Sequence, residues 1–85
     1  FSLEQAARNS VKRREYFQAV KEFENLRRKN PEDQTLLFDL AGIYSRLGRL
    51  GDEALIYTEM NSRNDSYPGL AEAAERNRLK RRPKT

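Results

Sequence analysis

Few residues in this 85-residue chain are of a type that could do chemistry. There is no Cys and no His, which removes thiolate nucleophiles, imidazole bases, zinc sites and disulfides. Acid–base work would fall to carboxylates, Lys or Tyr, and so small a core offers little low-dielectric volume in which to retune them. Gly48 and Gly51 lack the long spacing and the following Lys-Ser/Thr of a phosphate-cradling loop. What remains is charge. Lys and Arg number 17 against 13 Asp and Glu, a formal net charge of +4 with basic runs at Lys12-Arg13-Arg14, Arg27-Arg28-Lys29 and Lys80-Arg81-Arg82-Pro83-Lys84. Such runs meet phosphates or an acidic partner. The plainer alternative for the two internal runs is that each sits at a helix end, where the dipole favours a cation by about 0.3–1 kcal/mol. A non-catalytic protein without metal or cofactor is the expectation.

The elements that must position these charges come from a thin apolar content. Leu, Ile, Val and Phe make up 18 of the 85 residues, near the border of about 20% below which chains tend to stay disordered. Disorder usually also needs strong uncompensated charge, which is missing here. One folded, thinly cored domain is expected, burying roughly 60% of its unfolded surface. No apolar run reaches the ~18 residues of a membrane span, and the first residues do not read as a signal peptide, so no membrane partner is expected. A start at Phe1 rather than Met is what a piece of a longer protein would show.

The apolar pattern is helical throughout. Leu3, Ala6, Ala7 and Ser10 recur at spacings of three and four, as do Tyr16, Ala19, Val20, Phe23 and Leu26. Leu37, Leu40, Ala41, Tyr44 and Leu47 form a third stripe, Ala54, Leu55, Tyr57 and Met60 a fourth, and Leu70, Ala73, Ala74 and Asn77 a fifth. Asn30-Pro31, Gly48 with Gly51, and Asn64-Asp65-Ser66 followed by Pro68-Gly69 break the pattern, Gly48 being suited to a left-handed helix end. Tyr67-Pro68-Gly69 reads as a turn feeding the last helix. Helices are expected at roughly 2–13, 16–29, 33–47, 51–63 and 68–81, with no strand. Acids cluster where these should begin and bases where they should end, which gives the same segmentation from electrostatics alone.

The chain also repeats. A shift of 35 pairs Ala6 with Ala41, Ser10 with Ser45, Arg14 with Arg49, Ala19 with Ala54, Glu24 with Glu59 and Arg28 with Arg63. The spacing Leu-x-x-apolar-Ala recurs at Leu3/Ala6/Ala7, Leu37/Leu40/Ala41 and Leu70/Ala73/Ala74, in steps of 34 and 33. With Ala7, Tyr16, Ala19, Phe23 and Pro31 in one unit, the chain resembles the tetratricopeptide repeat family. In the next unit Leu37, Leu40, Ala41, Tyr44, Gly48 and Ala54 match if the Gly48–Gly51 turn carries one extra residue. Leu3 stands where that family often has Trp, and Thr58 and Asn61 where an aromatic and a small residue are usual. The resemblance implies an all-α, right-handed superhelical stack of antiparallel helix pairs, five helices in all. Repeat one would cover about 1–32, repeat two about 33–67 and a C-terminal helix about 68–82, a cap or the opening of a third unit, with a basic tail at 83–85. A helix pair cannot cover its own apolar stripe, so neighbours must stack in series. Ala7, Ala19, Ala41 and Ala54 would be the points of closest approach.

In that arrangement the first helix of each pair lines a concave surface. Glu4, Arg8, Val11 and Lys12 would face it from the first helix, Phe38, Gly42, Ser45 and Arg46 from the third, and Ala71, Glu75 and Arg78 from the fifth. Arg8, Lys12, Phe38, Ser45, Arg46 and Arg78 are the expected partner-binding residues: Arg for bidentate contact with carboxylates, Phe38 for the buried anchor. An acidic peptide or partner helix with one apolar anchor would fit. The plainer reading of Phe38 is that it covers a neighbouring helix. Some members of the family clamp the C-terminal carboxylate of chaperone tails. The matching places here hold Glu4, Arg8, Asp39 and Glu72, and acids repel a carboxylate, so that activity is not expected. Tyr44 and Tyr57 read as packing residues with hydroxyls at the rim.

Two other functions compete with the interaction module. One is a basic adaptor for nucleic acid or a ribonucleoprotein surface, although the last basic run has no interleaved aromatics for base stacking. The other is pure architecture, spacing or oligomerising a larger protein through Phe1 and the helix after Pro68. An intracellular location is expected. The run Lys80, Arg81, Arg82 and Lys84 reads equally as a tail, a nuclear-import-like signal or a solvated end.

Overall fold

The computed structural model describes residues 2–63 and 66–82. Phe1, the turn residues Asn64 and Asp65, and the basic tail at 83–85 lie outside the described residues. Within them the chain is five helices and no strand: α1 (Leu3–Lys12), α2 (Tyr16–Lys29), α3 (Gln34–Arg46), α4 (Leu50–Arg63) and α5 (Leu70–Lys80). Local chemistry sets the starts. The Ser2 hydroxyl accepts from the Gln5 N–H at 3.0 Å and the Asp33 carboxylate from the Leu36 N–H at 3.2 Å, each satisfying a donor with no partner inside the helix. Helix α5 enters through Gly69, whose φ of 85° needs a residue without Cβ.

Each helix packs chiefly on its neighbours in sequence, α1 on α2, α2 on α3, α3 on α4 and α4 on α5. The result is elongated, 47 × 26 × 18 Å. One core runs its length through Ala7, Ala19, Phe23, Leu37, Leu40, Ala41 and Met60, all buried. Ala7, Ala19 and Ala41 are wholly buried, as close contacts between stacked helices require.

The turns between paired helices are the same structure twice. After α1, the Arg14 N–H donates to the Val11 carbonyl at 3.0 Å and the Glu15 N–H to the Ser10 carbonyl at 2.9 Å. After α3, the Gly48 N–H donates to the Ser45 carbonyl at 3.1 Å and the Arg49 N–H to the Tyr44 carbonyl at 2.9 Å. Both are Schellman closures with the central residue left-handed, Arg14 at φ 61° and Gly48 at φ 74°. Donors and acceptors alike advance by one constant step of 34, from 14 and 15 to 48 and 49 and from 10 and 11 to 44 and 45. The end of α5 carries matching bonds one further step along, Arg81 N–H to the Asn77 carbonyl and Arg82 N–H to the Leu79 carbonyl.

That constant step corrects two expectations. With no extra residue in the Gly48–Gly51 turn, the counterpart of Ala19 is Glu53, which is buried (4% exposed), and not Ala54, which is half-buried. Phe23 likewise answers to Tyr57 and Leu26 to Met60, all buried. Leu55, read as part of the fourth stripe, is 69% exposed, and Ile56 takes the inward place. In α5 the step of 34 replaces the step of 33, and one residue of slip turns a helix by about 100°. Leu70, Ala73 and Asn77 face inward, as the fifth stripe predicts, with Ala74 half-buried, while in the turn register Ala71, Ala74, Glu75 and Arg78 answer to Leu37, Leu40, Ala41 and Tyr44.

Two stability measurements check this register. Ala19→Leu should cost about 1–3 kcal/mol through overpacking, and Ala54→Leu close to nothing. Arg14→Gly should gain about 0.5–1 kcal/mol by relieving the left-handed residue, and Gly48→Ala should lose about 1 kcal/mol. In a domain of this size 1 kcal/mol moves the melting midpoint by about 4–8 °C, so thermal denaturation resolves each change.

Candidate functional site

Helices α1, α3 and α5, the first of each pair, share one face. Between α1 and α3 lies a hollow of about 410 Å3 with apolar walls from Val11, Phe23, Phe38 and Ile43 and a charged rim of Arg8, Lys12 and Arg46. Between α3 and α5 lies a second, of about 290 Å3, bounded by Phe38, Ser45 and Arg46 on one side and Arg76, Asn77 and Lys80 on the other. Phe38, Gly42 and Arg46 border both, so the two hollows flank one edge of α3 and together make the groove considered below. Between Phe38 and Arg46 lies Gly42, where a Cβ would meet nothing within 4 Å, so this stretch of α3 borders open space.

The groove gathers cations from equivalent places in successive helix pairs. Lys12, Arg46 and Lys80 each close the helix that bears them, immediately before the equivalent end residues Arg13, Leu47 and Arg81. Among the described residues no carboxylate pairs with any of these three or with Arg76. Arg46 instead lays its guanidinium 5.8 Å from the centre of the Tyr16 ring, a cation–π contact that leaves its charge uncompensated.

Of the residues expected from sequence, Lys12, Phe38, Ser45 and Arg46 all border the groove. Arg8 does too, but its charge is spent: Glu4 lies 3.1 Å and Asp39 3.0 Å from its guanidinium. Burial opposes that charge, yet the hydrogen bonds and fields of the two acids outweigh it and raise the Arg8 pKa further. Arg78 falls outside the groove. It forms a two-pronged pair with Glu75, at 3.0 and 2.6 Å, beside a different hollow that Ala54, Thr58 and Ala74 also line. The slip of one residue in α5 is the reason, and it is also why Arg76 and Lys80 were not foreseen as groove residues. Adding 34 to Arg46 finds Lys80.

Phe38 has a structural contact as well as a groove position. Its ring tilts against Tyr67, with centroids 5.2 Å apart, and against Tyr57 at 6.4 Å, and the Tyr67 hydroxyl lies 3.2 Å from Thr35 Oγ1. These neighbours cover part of the ring and limit its rotation. A polar network fixes α5 beneath it. The Glu53 carboxylate accepts from the Tyr57 hydroxyl at 2.5 Å and from Asn77 Nδ2 at 2.8 Å, and Asn77 Oδ1 accepts from Arg81 Nε at 2.7 Å. Glu53 and Asn77 are both buried, and their mutual satisfaction is what makes that tolerable. No sequence signal marked Glu53 as other than a helix-start acid.

Away from the groove, the second basic run is partly consumed by packing. Arg27 reaches Glu59 of α4 at 2.6 Å, and Arg63 bonds both Glu59 and the Pro31 carbonyl. On the same side the Tyr44 hydroxyl donates to Glu24 at 2.6 Å with the Arg49 guanidinium 4.9 Å from its ring centre. Among the described residues no group of three or more acidic side chains converges to hold a metal ion, and no helix is long and apolar enough to cross a membrane. No protein-family model, curated protein or solved structure matches the chain.

Burial, and then the bond to Glu24, push the Tyr44 phenol up to about 12, and burial and Glu53 raise Tyr57 as well. An unfolded Tyr ionises near 10, so between about pH 10 and 12 the folded state holds more protons and rising pH favours unfolding. Urea midpoints should therefore fall across that window, and Tyr44→Phe should make the fall shallower. A slope unchanged by the substitution would contradict the assignment.

Proposed function

We propose that the chain is a tetratricopeptide-like, non-catalytic interaction module that holds an acidic peptide with one apolar anchor in the groove across α1, α3 and α5. The observation that carries this is the unpaired state of Lys12, Arg46, Arg76 and Lys80 around an apolar hollow, on a chain whose other groove cation, Arg8, is already neutralised. Cations left without partners on one concave face draw in an anion and raise its association rate. The hollow walled by Val11, Phe23, Phe38 and Ile43 takes the apolar side chain, where desolvation supplies most of the affinity. The equal spacing of the two Schellman turns supports the kinship with stacked helix-pair repeats.

Nucleic acid is a weaker occupant. Its bases need free aromatic faces, and Phe38 is already packed against Tyr57 and Tyr67. Fluorescence anisotropy with a labelled acidic peptide containing one Leu separates the readings. Arg46→Gln and Lys80→Gln should each weaken binding about fivefold, roughly 1 kcal/mol for a lost charged contact, whereas Arg78→Gln should leave it unchanged. Equal losses at all three would mean that net charge, not the groove, attracts the peptide. Binding of single-stranded RNA alone, falling steeply above about 50 mM salt, would favour the nucleic-acid adaptor.

A further inference from the structure

The two hollows beside α3 differ in what lines them. The one shared with α1 has walls of Val11, Phe23 and Ile43, whereas the one shared with α5 carries Arg46, Arg76, Lys80 and the half-buried Ser45 hydroxyl. Among the described residues none of these three cations pairs with a carboxylate. Glu53 is the acid that borders the α3–α5 hollow. It is buried, and its oxygens are taken by the Tyr57 hydroxyl and Asn77 Nδ2. Arg76 lies close enough for its charge to oppose the rise of the Tyr57 pKa, so its field reaches the hollow's wall. Three cations against one acid leave an excess of two positive charges. We infer that this hollow holds a phosphorylated serine or threonine of a peptide whose apolar anchor sits in the hollow between α1 and α3.

Charge decides between the acids a peptide can offer. A carboxylate brings one negative charge, and a phosphomonoester about 1.5–2 at pH 7, with three acceptor oxygens. The second matches the excess, and the forked guanidinium groups of Arg46 and Arg76 suit its oxygens. Lys80 adds a point charge and Ser45 a hydroxyl donor. The wall that α5 supplies is also fixed. At its entry a Cβ on Gly69 would stand 3.5 Å from Phe38 Cζ, and the Tyr67 hydroxyl meets Thr35 of α3. Further along, Asn77 Nδ2 donates to the Leu50 carbonyl at 3.0 Å and to Glu53 of α4. Only the side chains of Arg76 and Lys80 have to settle on a ligand, which keeps the ordering cost low. Phe38, Gly42 and Arg46 border the apolar hollow as well, so one ligand filling both needs a phosphate and an apolar side chain on the same chain. The inference rests on the acidic-peptide reading and names the acid.

The test uses the full 85-residue chain and labelled peptides carrying one Leu and, at each position to either side of it in turn, Ser, Glu or phosphoserine. At the best position phosphoserine should bind about tenfold more tightly than Glu, and Ser more weakly than both. Arg76→Gln and Lys80→Gln should each pull that ratio towards one. Lys12→Gln, at the other hollow, should weaken both peptides and leave the ratio unchanged. All three sites are exposed, and circular dichroism verifies that each variant keeps its helices. Equal affinity for Glu and phosphoserine at every position would overturn the phosphate while leaving the acidic groove standing. A preference lost as fully in Lys12→Gln as in Arg76→Gln would assign it to net charge and overturn the site. A phosphoserine peptide that binds as tightly with Ala in place of Leu would overturn the two-hollow ligand. Binding by none of the peptides would remove both the site and the peptide groove.

Discussion

A single backbone closure governs this molecule. At Arg14 and again at Gly48 the chain leaves a helix through a left-handed residue, and paired N–H donors seal the carbonyls at 10 and 11, then at 44 and 45. The same closure thus recurs 34 residues along, and each helix packs on its neighbours in sequence. Wholly buried alanines at 7, 19 and 41 let the stacked helices approach, and the core of a chain poor in large apolar residues becomes continuous only through that contact. Serial packing of this kind spreads stability over neighbour contacts.

The closure also ties charge to stability. A cation at the last turn of a helix sits against the negative end of the dipole and is favoured there without a carboxylate. Lys12, Arg46 and Lys80 stand in that place in their helices, so the fold can keep them unpaired beside the hollows that flank α3. The acids are deployed elsewhere: Glu59 and Glu24 knit α2 to α4 and Tyr44, Glu53 holds α5 through Asn77, and Glu75 occupies Arg78. The outcome is a molecule whose net charge is modest but whose groove is unevenly positive.

Much of this could be read from the residues alone. Helix number, order and ends followed from the three-and-four spacing and from charge at helix ends, and the structure moves the ends by two residues or fewer. Ala7, Ala19 and Ala41 were legible as contact points because small residues recurred at matched places. The failures share a cause. Ala54 and the alanines of α5 invited a register one residue off in each case, since a short, alanine-rich segment offers little to separate a step of 33 or 35 from 34. The backbone closures decide it, and Arg14 hid the first of them because a left-handed arginine carries no sequence mark. Glu53 escaped for another reason: a buried acid is recognised only when its partners, here Tyr57 and Asn77 from two different helices, are known.

The cations at 12, 46 and 80 are the point on which the fold and the proposed function meet, and their arrangement can be measured directly. The chain has no cysteine, so nitroxides can be attached at chosen pairs of positions and their separations read by electron paramagnetic resonance. Labels at 12 and 80 should lie farther apart than either lies from a label at 46, as the order α1, α3, α5 along the two hollows requires. A separation between 12 and 80 no greater than that between 12 and 46 would break that order and contradict the account.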